Sequence, residues 1–240
     1  MDNRRMKTLI LLAVVLVLGS CTRSPRADIA FVEETETGQP AYPLRMMATP
    51  THLRIDDGKD QANFLVYDRV NRVIQNVNHQ EKLVLVINHL PVVVESPIAL
   101  AHKTVDSPTD APDFAGGKVR NFQLITNDQV CFDVYVSDVI LGELGRALME
   151  YRQTLAGEQA VMLVSMPKDM LNSCDLANNV YEVDRHLAKG FPIRQQEFNG
   201  RVRMLVDYKQ DEPVDASLFD VPKDYKRFSP QEMRAGTGIN

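Results

Sequence analysis

Residues 63–88, NFLVYDRVNRVIQNVNHQEKLVLVIN, contain three short apolar segments separated by tight polar turns. The segments cover 63–68, 73–78 and 82–88. Short runs rich in Val, Ile and aromatic residues, bounded by Asn and Asp, are typical of β-strands joined by hairpins. The stretch therefore predicts an antiparallel meander, and with it a fold dominated by antiparallel β-structure.

The same pattern continues on both sides of this stretch. Further strands are predicted at 52–55, 118–125, 130–137, 191–197, 201–209, 215–219 and 221–225. Residues 91–95 extend or re-enter the sheet in this interpretation, and the dipeptide Asn199-Gly200 marks a hairpin. Residues 101–117, which contain Pro108, Pro112 and a Gly-Gly pair, are predicted to form a long loop.

A helical period replaces the strand pattern after residue 139. Apolar residues at spacings of three and four form one stripe: Ile140, Leu144, Ala147, Leu148, Tyr151 and Leu155. Charged residues lie off the stripe: Glu143, Arg146, Glu150 and Arg152. Gly157 is predicted to end or bend this helix, and further helices are predicted at 158–166 and 168–177. The fold class predicted is α+β with a mostly antiparallel sheet.

The first 21 residues have the organisation of an export signal. Arg4, Arg5 and Lys7 precede an unbroken run of ten apolar residues at 9–18. As a helix this run is about 15 Å long, roughly half of a hydrocarbon core of about 30 Å. It is therefore predicted to be a signal h-region and not a transmembrane helix.

The four residues Leu18-Gly19-Ser20-Cys21 resemble the lipobox of bacterial lipoproteins. The resemblance implies acylation of the Cys21 thiol, cleavage before Cys21 and acylation of the new amine. Two or three acyl chains make a durable membrane anchor. Thr22, where the enteric sorting rule has Asp for inner-membrane retention, implies the periplasmic face of the outer membrane. The alternatives are an ordinary secretory signal with an incidental cysteine and a buried N-terminal helix.

Removal of 1–21 changes the formal charge from −5 to −7, because Asp2 and three basic residues are lost. An acidic domain is a poor partner for nucleic acid. Residues 22–45 are polar and contain three prolines, so we predict a tether there, a single domain at 46–228 and a frayed polar tail at 229–240. In an oxidising compartment Cys131 and Cys174 are predicted to form a disulfide, the alternative being two buried thiols.

Several strings resemble a family of secreted bacterial proteins of unknown function. They are DASLFDVPKDY at 215–225, GFPI at 190–193, GRVRM at 200–204 and the hairpin at 64–78. These proteins are similar in architecture to the lipoprotein-localisation factors LolA and LolB. The resemblance implies a strongly curved half-barrel sheet with helices covering its concave face, a fold that holds acyl chains. No position here maps onto the functional residues of the localisation factors.

Catalytic, metal and cofactor motifs are missing from the sequence. The five histidines form neither an i, i+4 pair nor a His-Glu-x-x-His motif, and residues 56–60 (DDGKD) lack the ligand spacing of a calcium loop. There is no Gly-x-Ser-x-Gly, phosphate loop or dinucleotide fingerprint. We therefore expect no enzyme activity, no metal site and no cofactor.

The helical stripe and the methionines that follow it supply the candidate ligand site. The residues expected to line a cavity are Leu144, Leu148, Tyr151, Leu155, Met162 and Met166. The leading hypothesis is an envelope lipoprotein that binds a lipid or acyl chain. The alternative is an interaction lipoprotein with a fully packed core that docks an envelope protein. The first requires an apolar cavity beneath the 140–177 helices, the second an exposed apolar patch.

Overall fold

The computed structural model describes residues 24–164 and 166–236, which form an α+β fold around one twelve-stranded sheet. The strands are β1 (Arg26–Thr35), β2 (Tyr42–Ala48), β3 (His52–Asp56), β4 (Phe64–Asp68), β5 (Val73–Asn78), β6 (Leu83–Asn88), β7 (His102–Ser107), β8 (Arg120–Thr126), β9 (Gln129–Ser137), β10 (Phe191–Glu197), β11 (Val202–Pro213) and β12 (Lys226–Phe228). Their spatial order is β12-β6-β5-β4-β3-β2-β1-β11-β10-β9-β8-β7. All neighbours are antiparallel except β12 and β6, and the sheet is open.

In this described part of the chain three α-helices accompany the sheet: α1 (Gly142–Val164), α2 (Ser173–Leu176) and α3 (Pro230–Arg234). Short 3₁₀ turns cover Lys168–Met170 and Ala216–Phe219, and a π-helical turn covers Ala177–Tyr181. The mostly antiparallel α+β class predicted from the sequence is confirmed. The predicted export signal and Cys21 lie outside the described residues.

The predicted meander is present as β3 to β6, each strand pairing with the next. Both faces of this part of the sheet are covered, which explains its high apolar content. Tyr67 belongs to a core that includes α1, whereas Phe64 and Val66 belong to a cluster on which Tyr225 packs. The alternation along a strand sends neighbouring side chains to these two different cores.

The tether predicted at 22–45 is wrong, because β1 and most of β2 lie in this range. β1 pairs with β2 on one side and β11 on the other, so it is an interior strand. Part of the polar character that indicated a tether is buried: Glu34 is only 4% exposed and is paired with arginine.

The predicted strands at 215–219 and 221–225 are also wrong. The Asp215 side chain accepts a hydrogen bond from the Ser217 backbone N–H at 2.9 Å and starts a 3₁₀ turn instead. From this turn Phe219 packs on Ile29 and Met47. The C-terminal segment therefore covers one face of the sheet before β12 joins its edge.

The predicted frayed tail at 229–240 contains α3, so that prediction is wrong for 230–234. Ser229 and Glu232 form a capping box, which satisfies free N–H groups at the start of the helix. Arg234 forms an ion pair with the buried Glu158 of α1. Residues 237–240 lie outside the described part of the chain.

Two predictions between β6 and β8 require correction. Residues 91–95 form no strand. The loop predicted at 101–117 contains β7, an edge strand whose sequence HKTVDS gives no apolar signal because its side chains are mostly exposed. The backbone pairing with β8, and not burial of its side chains, holds β7 in the sheet.

The helix α1 continues through Gly157, so the predicted break there and the separate helix at 158–166 are wrong. A Cβ atom at 157 would lie 2.1 Å from the carbonyl oxygen of Leu90, so the glycine permits a close approach of helix and loop. The helix predicted at 168–177 is divided into a 3₁₀ turn, α2 and the start of the π-helical turn.

The Sγ atoms of Cys131 and Cys174 lie 1.99 Å apart, so the predicted pairing is confirmed. Both residues are fully buried, and the bond ties α2 to β9. Their sequence separation of 43 would give a stabilisation of about 4 kcal/mol in the chain-entropy model.

Candidate functional site

A cavity of about 340 Å³ lies between α1 and one face of the sheet. Apolar side chains from β1 to β4 form its floor: Val32, Leu44, Met46, Ile55 and Leu65. Leu148, Tyr151 and Leu155 of α1 form its roof. The remaining wall includes polar side chains: Arg152, Asn179, His186, Gln195, Arg201 and Arg203. The cavity therefore has an apolar part and a polar part.

Strand register explains this division. Val32 of β1 pairs with Leu44 of β2, giving an apolar row across the floor. Two residues along β1, Glu34 pairs with Tyr42 on one side and Arg203 on the other. Residues two apart on a strand face the same side and lie about 7 Å apart. The polar row and the apolar row are thus neighbours on one face.

Glu34 is the anion of the polar row. Arg203 Nε donates to its Oε2 at 2.7 Å, and the Tyr42 hydroxyl donates to its Oε1 at 2.6 Å. Burial raises the pKa of Glu34, but the charges and hydrogen bonds of Arg203 and Tyr42, together with Arg201, hold it below its ordinary value. Burial and the Glu34 carboxylate raise the pKa of Tyr42 to about 12. Glu34 is therefore ionised and largely neutralised by its neighbours.

Arg152 lies deep in the structure, although the sequence placed it off the apolar stripe. Its Nε donates to the Val183 carbonyl and its Nη2 to the Asn178 carbonyl, both at 2.6 Å. No carboxylate of the described residues forms an ion pair with it. Burial lowers the pKa of Arg152. Part of its side chain is nevertheless accessible from the cavity.

His186 is 3% exposed and stacks on Phe132, with ring centroids 4.6 Å apart. Its Nδ1 is buried without a hydrogen-bond partner among the described residues. Burial holds the pKa of His186 well below its ordinary value, and the charges of Arg152, Arg203 and Arg185 lower it further. The imidazole is therefore neutral and lies in a region of positive potential.

Three of the six residues predicted to line a cavity do so: Leu148, Tyr151 and Leu155. Leu144 is instead fully buried in the core beside Ala147. Met162 is 52% exposed because α1 has passed the end of the cavity at that point. Met166 follows α1, half-buried and outside the lining.

The polar lining was not predicted from the sequence. Arg201 and Arg203 alternate on one face of the hairpin, a signal of two charges directed to the same side. Arg152 follows Leu148 by four positions and precedes Leu155 by three, which places it beside the stripe. His186 has no comparable signal, because it lies in an irregular segment between the π-helical turn and β10.

Within residues 24–164 and 166–236, no three His, Cys, Asp or Glu side chains are grouped so that they could hold a metal ion. None of the helices in that part of the chain is both long and apolar enough to cross a membrane.

No protein-family model matches this chain, and no curated protein matches its sequence. Among solved structures, an uncharacterised conserved protein from Thermus thermophilus is similar over 85% of this chain and 90% of its own, with 12% identity and a TM-score of 0.43. Structures of PNGF-II in space groups C2 and P21 are similar over 89% and 88% of this chain, each with 9% identity and TM-scores of 0.43 and 0.44. This chain covers 32% and 33% of those two chains. All three likenesses are too distant to carry an argument about function.

Proposed function

We propose that this protein is a lipoprotein of the cell envelope that binds a hydrophobic ligand, a lipid or an acyl chain, between α1 and the sheet. The observation that carries the proposal is the cavity of about 340 Å³, with its apolar floor and roof. Ligand pockets are concave, mostly apolar and typically about 300–1,000 Å³ in volume. The role needs neither catalysis nor a cofactor.

The proposed shape follows the same reasoning. We propose that the sheet is curved as a half-barrel and that α1 covers its concave face, as in the localisation factors LolA and LolB. In support, Ile140, Leu144 and Ala147 are buried in one cluster with residues of β1 to β5. A helix fixed at one end and spaced from the sheet further along leaves room for a ligand.

The proposed location rests on the lipobox-like Leu18-Gly19-Ser20-Cys21. Acylated Cys21 anchors the protein to the periplasmic face of the outer membrane in this proposal. Growth with radiolabelled palmitate tests it: the wild type is expected to be labelled and Cys21→Ala to be unlabelled. An unlabelled wild type, or equal labelling of both proteins, would contradict acylation of Cys21.

The ligand is tested by native mass spectrometry of the full chain, purified from the envelope in non-ionic detergent, before and after organic extraction. We expect a lipid or acyl species at close to one per protein that disappears on extraction and returns on addition of the extract. A protein that carries no such species and takes none up contradicts ligand binding.

The alternative function, docking of an envelope protein, is favoured by a different observation. Met204 and Val206 lie on the same face of β11 and are 47% and 67% exposed. The alternative also requires a fully packed core, which the cavity does not support. Loss of a co-purifying protein on Met204→Ser with Val206→Ser, in a protein without lipid, would favour docking.

A further inference from the structure

The polar part of the cavity has an imbalance of charge. Three guanidinium groups line it, those of Arg152, Arg201 and Arg203, and no acidic side chain of the described residues lines it. Glu34, behind the lining, pairs with Arg203 and lies 3.6 Å from Arg201 Nε. Glu36 pairs with Arg201 Nη2 at 2.9 Å. These two carboxylates offset Arg201 and Arg203 and leave Arg152 without an ion-pair partner.

Arg152 also has hydrogen-bonding capacity that the protein does not use. Its Nε and Nη2 are bonded to backbone carbonyls, so the guanidinium is held in one orientation. Its Nη1 has no partner among the described residues. The hydroxyl of the adjacent Tyr151 likewise has no described partner, and both side chains line the cavity. A fixed guanidinium with a free donor is suited to a planar or tetrahedral oxyanion.

A buried polar atom without a partner lies in the same wall. His186 Nδ1 is buried without a hydrogen-bond partner in the described structure. Such a group is costly to leave unsatisfied, and it is uncommon in folded proteins unless a ligand or water completes it. It is a second observation, independent of the charge, that indicates a missing polar partner at this end of the cavity.

We propose that the ligand is an amphiphile with a single acyl chain and an anionic oxygen-rich head, and that Arg152 binds the head. The carboxylate of a fatty acid and the phosphate of a lipid share this chemistry. The chain would lie over the apolar row of Val32 and Leu44, about 7 Å from the polar row. The volume, at the lower end of ligand pockets, fits one chain and not several. This inference rests on the proposed lipid-binding function.

The test uses three ligands with the same chain: dodecanoic acid, dodecyl phosphate and neutral dodecanol. An equimolar mixture is added to the full-length protein in a short-chain non-ionic detergent, and the bound species are counted by native mass spectrometry. Competition by the detergent cancels in the ratio of bound ligands. We expect at least one anion to be retained about ten-fold or more over dodecanol.

The wild-type result separates this inference from the proposed function. Equal retention of the three ligands overturns the anionic head and leaves lipid binding intact. Retention of none overturns both. If an anion is preferred, the favoured head, carboxylate or phosphate, distinguishes a fatty acid from a phospholipid source.

Arg152→Gln is expected to bring the ratio of anion to dodecanol close to one while dodecanol remains bound. The Arg152→Gln variant also loses the hydrogen bonds to the backbone carbonyls of Asn178 and Val183, which could affect folding. Arg201→Gln is therefore measured beside it, and the folding of both variants is checked by circular dichroism. Arg201→Gln is expected to lower the ratio about three-fold, as removal of one of three nearby cations should. An unchanged ratio in both variants, or in Arg201→Gln if the other does not fold, overturns the assignment to this cluster.

Discussion

Arg69 and Glu150 form a two-point ion pair between the end of β4 and the middle of α1. Arg69 Nε donates to Glu150 Oε2 at 2.6 Å, and Nη2 donates to Oε1 at 2.9 Å. Arg69 also donates to the Thr49 carbonyl at 2.6 Å and pairs with Glu143. Its side chain is only 9% exposed. One guanidinium thus fixes the N-terminal half of α1 to the sheet beside the cavity.

Replacement of Arg69 by Met is expected to lower the free energy of unfolding by about 2–4 kcal/mol, because it leaves the Thr49 carbonyl and the Glu150 carboxylate without their donor and removes one of the two arginines that pair with Glu143. Urea denaturation measures the change. Arg146→Met is the matched control: Arg146 pairs with the same Glu143 but is 61% exposed, so the cost should be below about 0.5 kcal/mol. Equal costs for the two variants would contradict a fixing role for Arg69.

The two interior glycines of α1 should respond oppositely to alanine. Gly157→Ala places Cβ against the Leu90 carbonyl and is expected to destabilise the protein by about 1–3 kcal/mol. Gly145 has nothing within 4 Å of the added atom, so Gly145→Ala should stabilise by about 0.5–1 kcal/mol through helix propensity. Thermal and urea unfolding measure both. A stabilising Gly157→Ala would mean that the helix and the 89–90 loop are not in contact.

Glu34 should make stability depend on pH. Burial raises the pKa of Glu34, but its arginine and tyrosine partners lower it by more than burial raises it. The folded pKa therefore lies below the ordinary value of 4.5. The stabilisation is therefore fully present above about pH 4.5 and is lost as pH falls through the lower folded pKa. Glu34→Gln is expected to cost about 1–3 kcal/mol at neutral pH and progressively less in acid.

The control for this pH dependence is Glu33→Gln, which removes the same charge from an exposed position on β1. Unfolding free energies of the three proteins between pH 7 and pH 3 make the comparison. The wild type and Glu33→Gln should lose stability in parallel, while Glu34→Gln should lose less. Parallel acid destabilisation of all three would show that Glu34 contributes nothing to the slope.

The parts of the fold set by local pattern were predictable. β3 to β6 are short strands rich in apolar residues and are joined by short polar turns, so neighbours in sequence are neighbours in the sheet. β1 was not predictable in this way, since burial of Glu34 depends on Arg203, 169 residues away in the chain. Likewise, the continuity of α1 through Gly157 depends on Leu90, which sequence order does not place beside it.

The cavity was predictable only in its apolar roof. The helical period identified Leu148, Tyr151 and Leu155, because a 3.6-residue repeat fixes which side chains share a face. The polar wall combines α1, β11 and the segment before β10, so it depends on the packing of elements distant in sequence. Met162 and Met166 were predicted to line the cavity only because methionine is apolar and flexible. Residue type alone does not determine where in the fold a side chain lies.

The central claim, a ligand between α1 and the sheet, is tested most directly by filling the cavity. Leu148→Trp adds bulk to the roof, and Val161→Trp adds the same bulk at a half-exposed position further along α1. Binding of dodecanol to the wild type and both variants is measured by native mass spectrometry, with urea unfolding as a check on the fold. We expect Leu148→Trp to remain folded and to bind at least about ten-fold less than the other two proteins. Undiminished binding by folded Leu148→Trp would contradict the claim.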